Sequence, residues 1–289
     1  MKHTIILATL FSAAVCLLHA EIPIKSGDKV AFLGDSITQQ GQNSPGGYVQ
    51  LIGTGLAANS VKIEIIGAGI SGHKSDQMLE RLDRDVLSKK PQWMTLTCGV
   101  NDVWHGDKGV PLEDYKKNIT SIVDQAQAAG IKVIILTSTM IREDQTNPEN
   151  QKLVAYNEFL RALAKEKKCL LADLNADMQA AVTEAAKSPR PVKGNYLTVD
   201  GVHMAPAGNL MMTAGVLKGL GLNATELSKA WDACLDVPNA SEVSPKIKLT
   251  LRQALQLDKL AAKRGTTVDA LINESVTKLV TSMVKSDAR

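Results

Sequence analysis

The sequence predicts an α/β protein: a three-layer α/β/α sandwich on a five-stranded parallel sheet, with a small C-terminal strand and helical hairpin appended. Two observations carry this. Five short apolar, β-branched runs, at 29–33, 61–66, 93–98, 132–137 and 169–173, alternate with longer stretches of helical periodicity. The runs are apolar nearly throughout instead of at every second residue, as strands covered on both faces must be.

The elements follow in order. The first 20 residues come off before any fold reasoning. Lys2 supplies a positive start, 5–18 is apolar, and Leu18-His19-Ala20 ends in a small residue, so this reads as a secretory signal peptide cleaved near Ala20. The apolar run is short for a membrane span, and no later run approaches the roughly 20 residues one needs. Cys16 raises the question of a lipid anchor, but Val15 before it is too large for the processing motif. The mature protein is therefore expected to be soluble and exported, periplasmic or secreted.

Helical patterns fall near 46–58, 75–89, 112–129, 148–166, 174–187 and 205–220. The pattern at 112–129 stops at Gly130 directly before a strand, as a helix C-terminus does. Sheets of this kind carry their sites at the carboxyl ends of the strands. The loops to inspect are those after Leu33, Ile66, Cys98, Thr137 and Asp173.

The main domain is read as 21–235 and a Pro/Asn/Ser/Glu-rich linker as 236–245. The segment 246–289 holds nine basic and four acidic residues. It reads as a short alternating strand and two amphipathic helices around Gly265, with Thr266 or Thr267 capping the second. The pattern loosely resembles a ribbon-helix-helix unit, a dimeric DNA-binding fold. Export argues against nucleic acid, so a hairpin that docks on the body or joins two copies is preferred, and a plain packing appendage is the simplest reading. Cys98, Cys169 and Cys234 remain after cleavage. Their odd number excludes a full disulfide framework and favours free core thiols, with one optional bridge left open. No C-x-x-C or H-x-x-x-H occurs, so no structural zinc site is expected.

Chemistry concentrates at the strand ends. The first strand ends in Gly34-Asp35-Ser36, a serine at a strand-to-helix corner where the helix N-terminus favours developing negative charge. Such a corner is more often a capped turn. The third strand ends in Gly99-Val100-Asn101-Asp102, where an amide NH₂ can donate to an oxyanion or simply support its own loop. Far downstream, Asp200-Gly201-Val202-His203 places a carboxylate three residues before an imidazole, so that the acid holds one ring nitrogen and the other faces the cleft.

Together these blocks resemble the SGNH, or GDSL-type, hydrolase family over roughly residues 28–220. The resemblance implies a flavodoxin-like sheet and a serine esterase. Ser36 in "GDSIT" falls on its nucleophile, Gly72 in "GISG" and Asn101 in "GVND" on its oxyanion donors beside the Ser36 N–H, and Asp200 and His203 on its acid and base. No cofactor or metal is required. Family members cleave acyl chains from lipids and acetyl groups from sugars. Export and the lack of a long apolar lid favour a carbohydrate O-acetylesterase, with a lipid- or thioester-directed esterase second and a non-catalytic glycan binder more remote. Trp104 and His105 follow the Asn101 loop, and Trp104 could stack on a sugar or be half-buried packing.

One motif points elsewhere. Gly67-Ala68-Gly69-Ile70-Ser71-Gly72 after a strand matches the G-x-G-x-x-G of dinucleotide-binding loops. In those folds the loop follows the first strand, and an acidic residue at the end of the next binds the ribose. Here it follows the second strand, and the next ends in Cys98-Gly99-Val100. The glycines are instead expected to let the backbone approach a reacting carbonyl.

Overall fold

The computed structural model describes residues 22–187, 194–240 and 250–287. The signal-peptide reading and the strand expected at the start of the C-terminal segment lie outside them. The chain divides into two compact units, one up to Ser241 and one from Glu242.

The first unit is a five-stranded, all-parallel sheet in the order β2-β1-β3-β4-β5. The strands are β1 (Lys29–Gly34), β2 (Glu64–Gly69), β3 (Trp93–Thr97), β4 (Lys132–Leu136) and β5 (Leu170–Ala172). In β1, β3 and β4 nearly every side chain is buried, as expected for strands covered on both faces. Burying one such side chain is worth roughly 1.5–3 kcal/mol. Differences in strand propensity span about 1 kcal/mol, so burial decides where these strands lie.

After β1 come α1 (Ser36–Asn43) and α2 (Tyr48–Ala58). After β2 come α3 (Ser75–Glu80), α4 (Leu82–Asp85) and a 3-10 turn at Leu87–Lys89. The single helix expected over 75–89 thus breaks at Arg81, which is drawn inward. α5 (Val100–Trp104) and α6 (Leu112–Ala128) follow β3, and α7 (Pro148–Glu166) follows β4. Beyond β5 lie α8 (Leu174–Ala186), α9 (Pro206–Gly219) and α10 (Ala224–Leu235). α2, α9 and α10 pack together on one side, with α8 against α9, while α6 packs on α3 and α7 on the other. The chain runs outward from β1 to β2 and then crosses back to β3. The β1 and β3 carboxyl ends therefore flank the point where strand order reverses, the usual place for a site in an open α/β sheet.

The second strand begins three residues later than its apolar run suggests and continues through Gly69. Gly67 and Gly69 are accordingly strand residues. A Cβ on Gly67 would stand 2.5 Å from Gln42 Oε1, and one on Gly69 2.3 Å from Gln39 N. These two glycines serve the close packing of α1 on β2, and of the three glycines of the motif only Gly72 has a positive φ, +76°.

The second unit contains α11 (Leu251–Arg264) and α12 (Val268–Asp287). Thr250 and Gln253 form a capping box, Gly265 is left-handed at φ +62°, and the Thr267 hydroxyl accepts from Ala270 N. Ala261 and Leu271 are buried, while Leu279, Val280, Met283 and Val284 are exposed. Among the described residues no helix is long and apolar enough to cross a membrane.

Candidate active site

Asp35 caps α1 by accepting from Ile37 N at 2.9 Å, which starts the helix at Ser36. As the first helical residue, Ser36 has a backbone N–H without an intrahelical acceptor. Its hydroxyl meets His203 Nε2 at 2.9 Å, and His203 Nδ1 meets Asp200 Oδ2 at 2.6 Å. The other carboxylate oxygen, Oδ1, accepts from the backbone N–H of Val202 at 3.0 Å and of His203 at 2.8 Å. Burial pushes the Asp200 carboxyl up, but the His203 ring and those two amides outweigh it and hold it near 2. Asp200 is therefore ionised at ordinary pH. Facing a carboxylate, Nδ1 carries the ring proton and Nε2 presents a lone pair to the serine hydroxyl.

The Gly72 turn is tied to the same corner. Ile70 N donates to Gly34 O at 3.1 Å, and Ser71 N to Gln39 Oε1 at 3.1 Å. Asn101 is buried in α5, and its Nδ2 donates to the carbonyl of His73, next to Gly72, at 3.2 Å. One of its two amide hydrogens is left for another acceptor. Trp104, 37% exposed, closes α5 with its ring 6.2 Å from that of His105. No hydrogen bond joins either residue to Ser36, Asp200 or His203.

Sequence reasoning missed several supports. Glu143, at φ +49°, accepts from Tyr196 N, Leu197 N, Thr198 N and the Thr198 hydroxyl at 2.6–2.9 Å. With the 2.6 Å bond from Arg142 N to Gly201 O, it pins the loop that carries Asp200 and His203 to the loop after β4. Asp102, fully buried, accepts from Ser75 N, Ser75 Oγ and the Cys98 thiol, joining the starts of α3 and α5. Cys98, Cys169 and Cys234 are free thiols, each with its pKa raised by burial. Among the described residues no cluster of His, Cys, Asp and Glu could hold a metal ion.

Asp35 carries a testable cost. Burial first, and then the Asp102 charge, push its carboxyl up to about 6 against the pull of Ile37 N–H and His203. A carboxylate raised in the folded state destabilises the fold above that pH, and the cost vanishes as pH falls toward its unfolded value. The shift corresponds to roughly 3 kcal/mol. Asp35→Asn keeps an oxygen for Ile37 N–H and removes the charge. It should raise unfolding free energy in urea at pH 8 by up to that amount, with the gain fading near pH 4. An equal gain at both pH values, or a loss at pH 8, would contradict this account.

The chain belongs to the GDSL-like lipase/acylhydrolase family, whose profile matches residues 32–210, and is a carboxylic ester hydrolase. Among individual proteins, it is 29% identical over 217 residues to the acetylxylan esterase of Geobacillus stearothermophilus, spanning 68% of this chain and 96% of that one. A crystal structure of an acetyl xylan esterase, AlAXEase, superposes with a TM-score of 0.61 at 34% identity, covering 66% of this chain and 98% of that one. The crystal structure of the Geobacillus enzyme gives 0.61 at 27% identity, over 69% and 97%. Solved structures of that enzyme include catalytic mutants in which a serine, an aspartate or a histidine three positions after that aspartate is replaced by alanine.

Proposed function

We propose that this protein is an exported serine esterase that removes O-acetyl groups from carbohydrates, with Ser36, His203 and Asp200 as its triad. The observation that carries the reading is the unbroken line of hydrogen bonds from the Ser36 hydroxyl through the His203 ring to Asp200. Its relatives' activity on acetylated xylan and the leader-like first 20 residues support the substrate class and the location.

Ser36 Oγ attacks the acetyl carbonyl carbon while its proton passes to His203 Nε2. The carbonyl oxygen becomes an oxyanion, held by the N–H groups of Ser36 and Gly72 and the Asn101 amide. Each such donor is typically worth 100- to 1,000-fold in rate. The bond from carbon to the sugar oxygen then breaks, and His203 protonates the departing hydroxyl. Water, giving its proton to the same ring, attacks acetyl-Ser36; acetate leaves and the proton returns to Ser36. Asp200 stays ionised throughout and stabilises the imidazolium. Trp104, three residues after Asn101 on the short helix α5, offers an aromatic face for a sugar ring. The exposed apolar stripe of α12 is read as a self-association surface.

The test is acetate release from acetylated xylan, acetylated pectin, O-acetyl sialic acid and aryl esters of increasing chain length. The reading expects a sugar acetate to be cleaved with the highest kcat/KM and aryl esters to slow as the acyl chain grows. Faster cleavage of long acyl chains would turn it toward a lipid-directed esterase.

A further inference from the structure

Arg81 is 4% exposed and stands where α3 gives way to α4. A guanidinium is costly to bury unless its N–H groups find acceptors. Here two of the four acceptors are carbonyls at the ends of strands. Nη2 donates to Gly34 O at 2.8 Å, Nη1 to Ala68 O at 2.8 Å and to Asp85 Oδ2 at 2.8 Å, and Nε to His73 Nδ1 at 3.2 Å.

Those partners sit at informative places. Gly34 lies two residues before Ser36, and Ala68 four before Gly72. His73 follows Gly72, and its carbonyl holds the Asn101 amide. One planar group thus joins the two segments that carry the Ser36 and Gly72 donors, and through His73 it reaches the Asn101 amide. Resting on the triad reading above, we propose that Arg81 is a positioning residue that fixes the spacing of the oxyanion hole.

The chemistry suits arginine and not lysine. The rigid fork of N–H groups reaches several acceptors in different directions, whereas an ammonium is a point donor on a flexible stem. The contact also fixes His73: its Nδ1 accepts, so a neutral ring carries its proton on Nε2. Burial first, and then the charges of Arg81 and Arg84, keep the His73 pKa below its ordinary value. Asp85 supplies the counter-charge. Its carboxyl is held near 2, first by the Arg84 hydrogen bond, with burial opposing and Arg81 adding to the pull.

The experiment compares Arg81→Lys with Asp85→Asn on an aryl acetate. A phosphonate ester, which reacts with the serine and builds a similar oxyanion, is run to completion to count competent sites. A displacement of about 1 Å at such donors can cost about 100-fold. Arg81→Lys is expected to lower kcat per competent site by about that factor and to slow phosphonate labelling alike, with KM little changed. Asp85→Asn, which keeps the carbonyl and His73 contacts, is expected to lower Tm and leave kcat near wild type. Wild-type kcat per site in Arg81→Lys overturns the inference, as does a fall of similar size in Asp85→Asn. Where Arg81→Lys only reduces the number of sites, Arg81 is a folding residue and the inference is wrong. Failure of the triad reading shows separately, as activity retained in Ser36→Ala.

Discussion

Ser36→Ala is expected to lower kcat for an aryl acetate by about ten-thousand- to million-fold, the range seen when the nucleophile of a triad is removed. The loss should lie in kcat, because the hydroxyl contributes its covalent bond only once the ester is in place. The fold should survive. Ser36 is the first residue of α1, but the cap belongs to Asp35, whose bond to Ile37 N is untouched. His203 would lose one partner and keep Asp200. The variant should therefore unfold near the wild-type temperature and fail to label with a phosphonate ester. Full activity in folded Ser36→Ala protein would remove the covalent mechanism.

The architecture is legible in the sequence because burial writes it there. The strands at 93–97 and 132–136 are mostly apolar, they pair with each other, and all of their side chains but Lys132 are buried. The candidate site is legible for a different reason: the corner serine and the D-x-x-H pair sit at a strand end and a turn, and the asparagine on the short helix that follows β3. The structure joins the serine to the pair by hydrogen bonds across 167 residues of chain. What stayed hidden lacks such a pattern. α1 reads "SITQQGQN" and has no apolar stripe; it exists because Asp35 caps it and two glycines of β2 give it room. The glycine motif misleads for the same reason, since the space it opens is filled by a helix.

Arg81 and Glu143 show where the limit lies. Arg81 occupies the stripe of Ser75, Met78 and Leu82, all of them buried. A charged residue in an apolar register is a signal, but two of its four acceptors are backbone carbonyls, at Gly34 and Ala68, which no side-chain motif records. Glu143 stands in a polar loop where its left-handed backbone could not be foreseen. Both act on residues far along the chain through main-chain groups. Such supports are set by folded geometry and have no local spacing to read.

The role of the acid is open to an equally sharp test. Asp200→Asn is nearly isosteric, so the loop bonds from Val202 N and His203 N can persist on the amide oxygen. The amide nitrogen then occupies the place of Oδ2 and donates to His203 Nδ1. That forces the lone pair onto Nδ1 and the proton onto Nε2, which faces Ser36 as a donor and cannot take its proton. The geometry survives and the tautomer is wrong. By analogy with the same change in other triads, kcat should fall by up to about ten-thousand-fold. Because the wild-type carboxyl sits near 2, it stays ionised well below neutral pH, and its protonation does not limit wild-type activity above about pH 4. The variant should recover rate as pH rises, since hydroxide can attack without a base on Ser36. A small drop with an unchanged pH profile would mean that the imidazole is oriented by its backbone alone, and Asp200 would then be a loop anchor instead of a member of the triad.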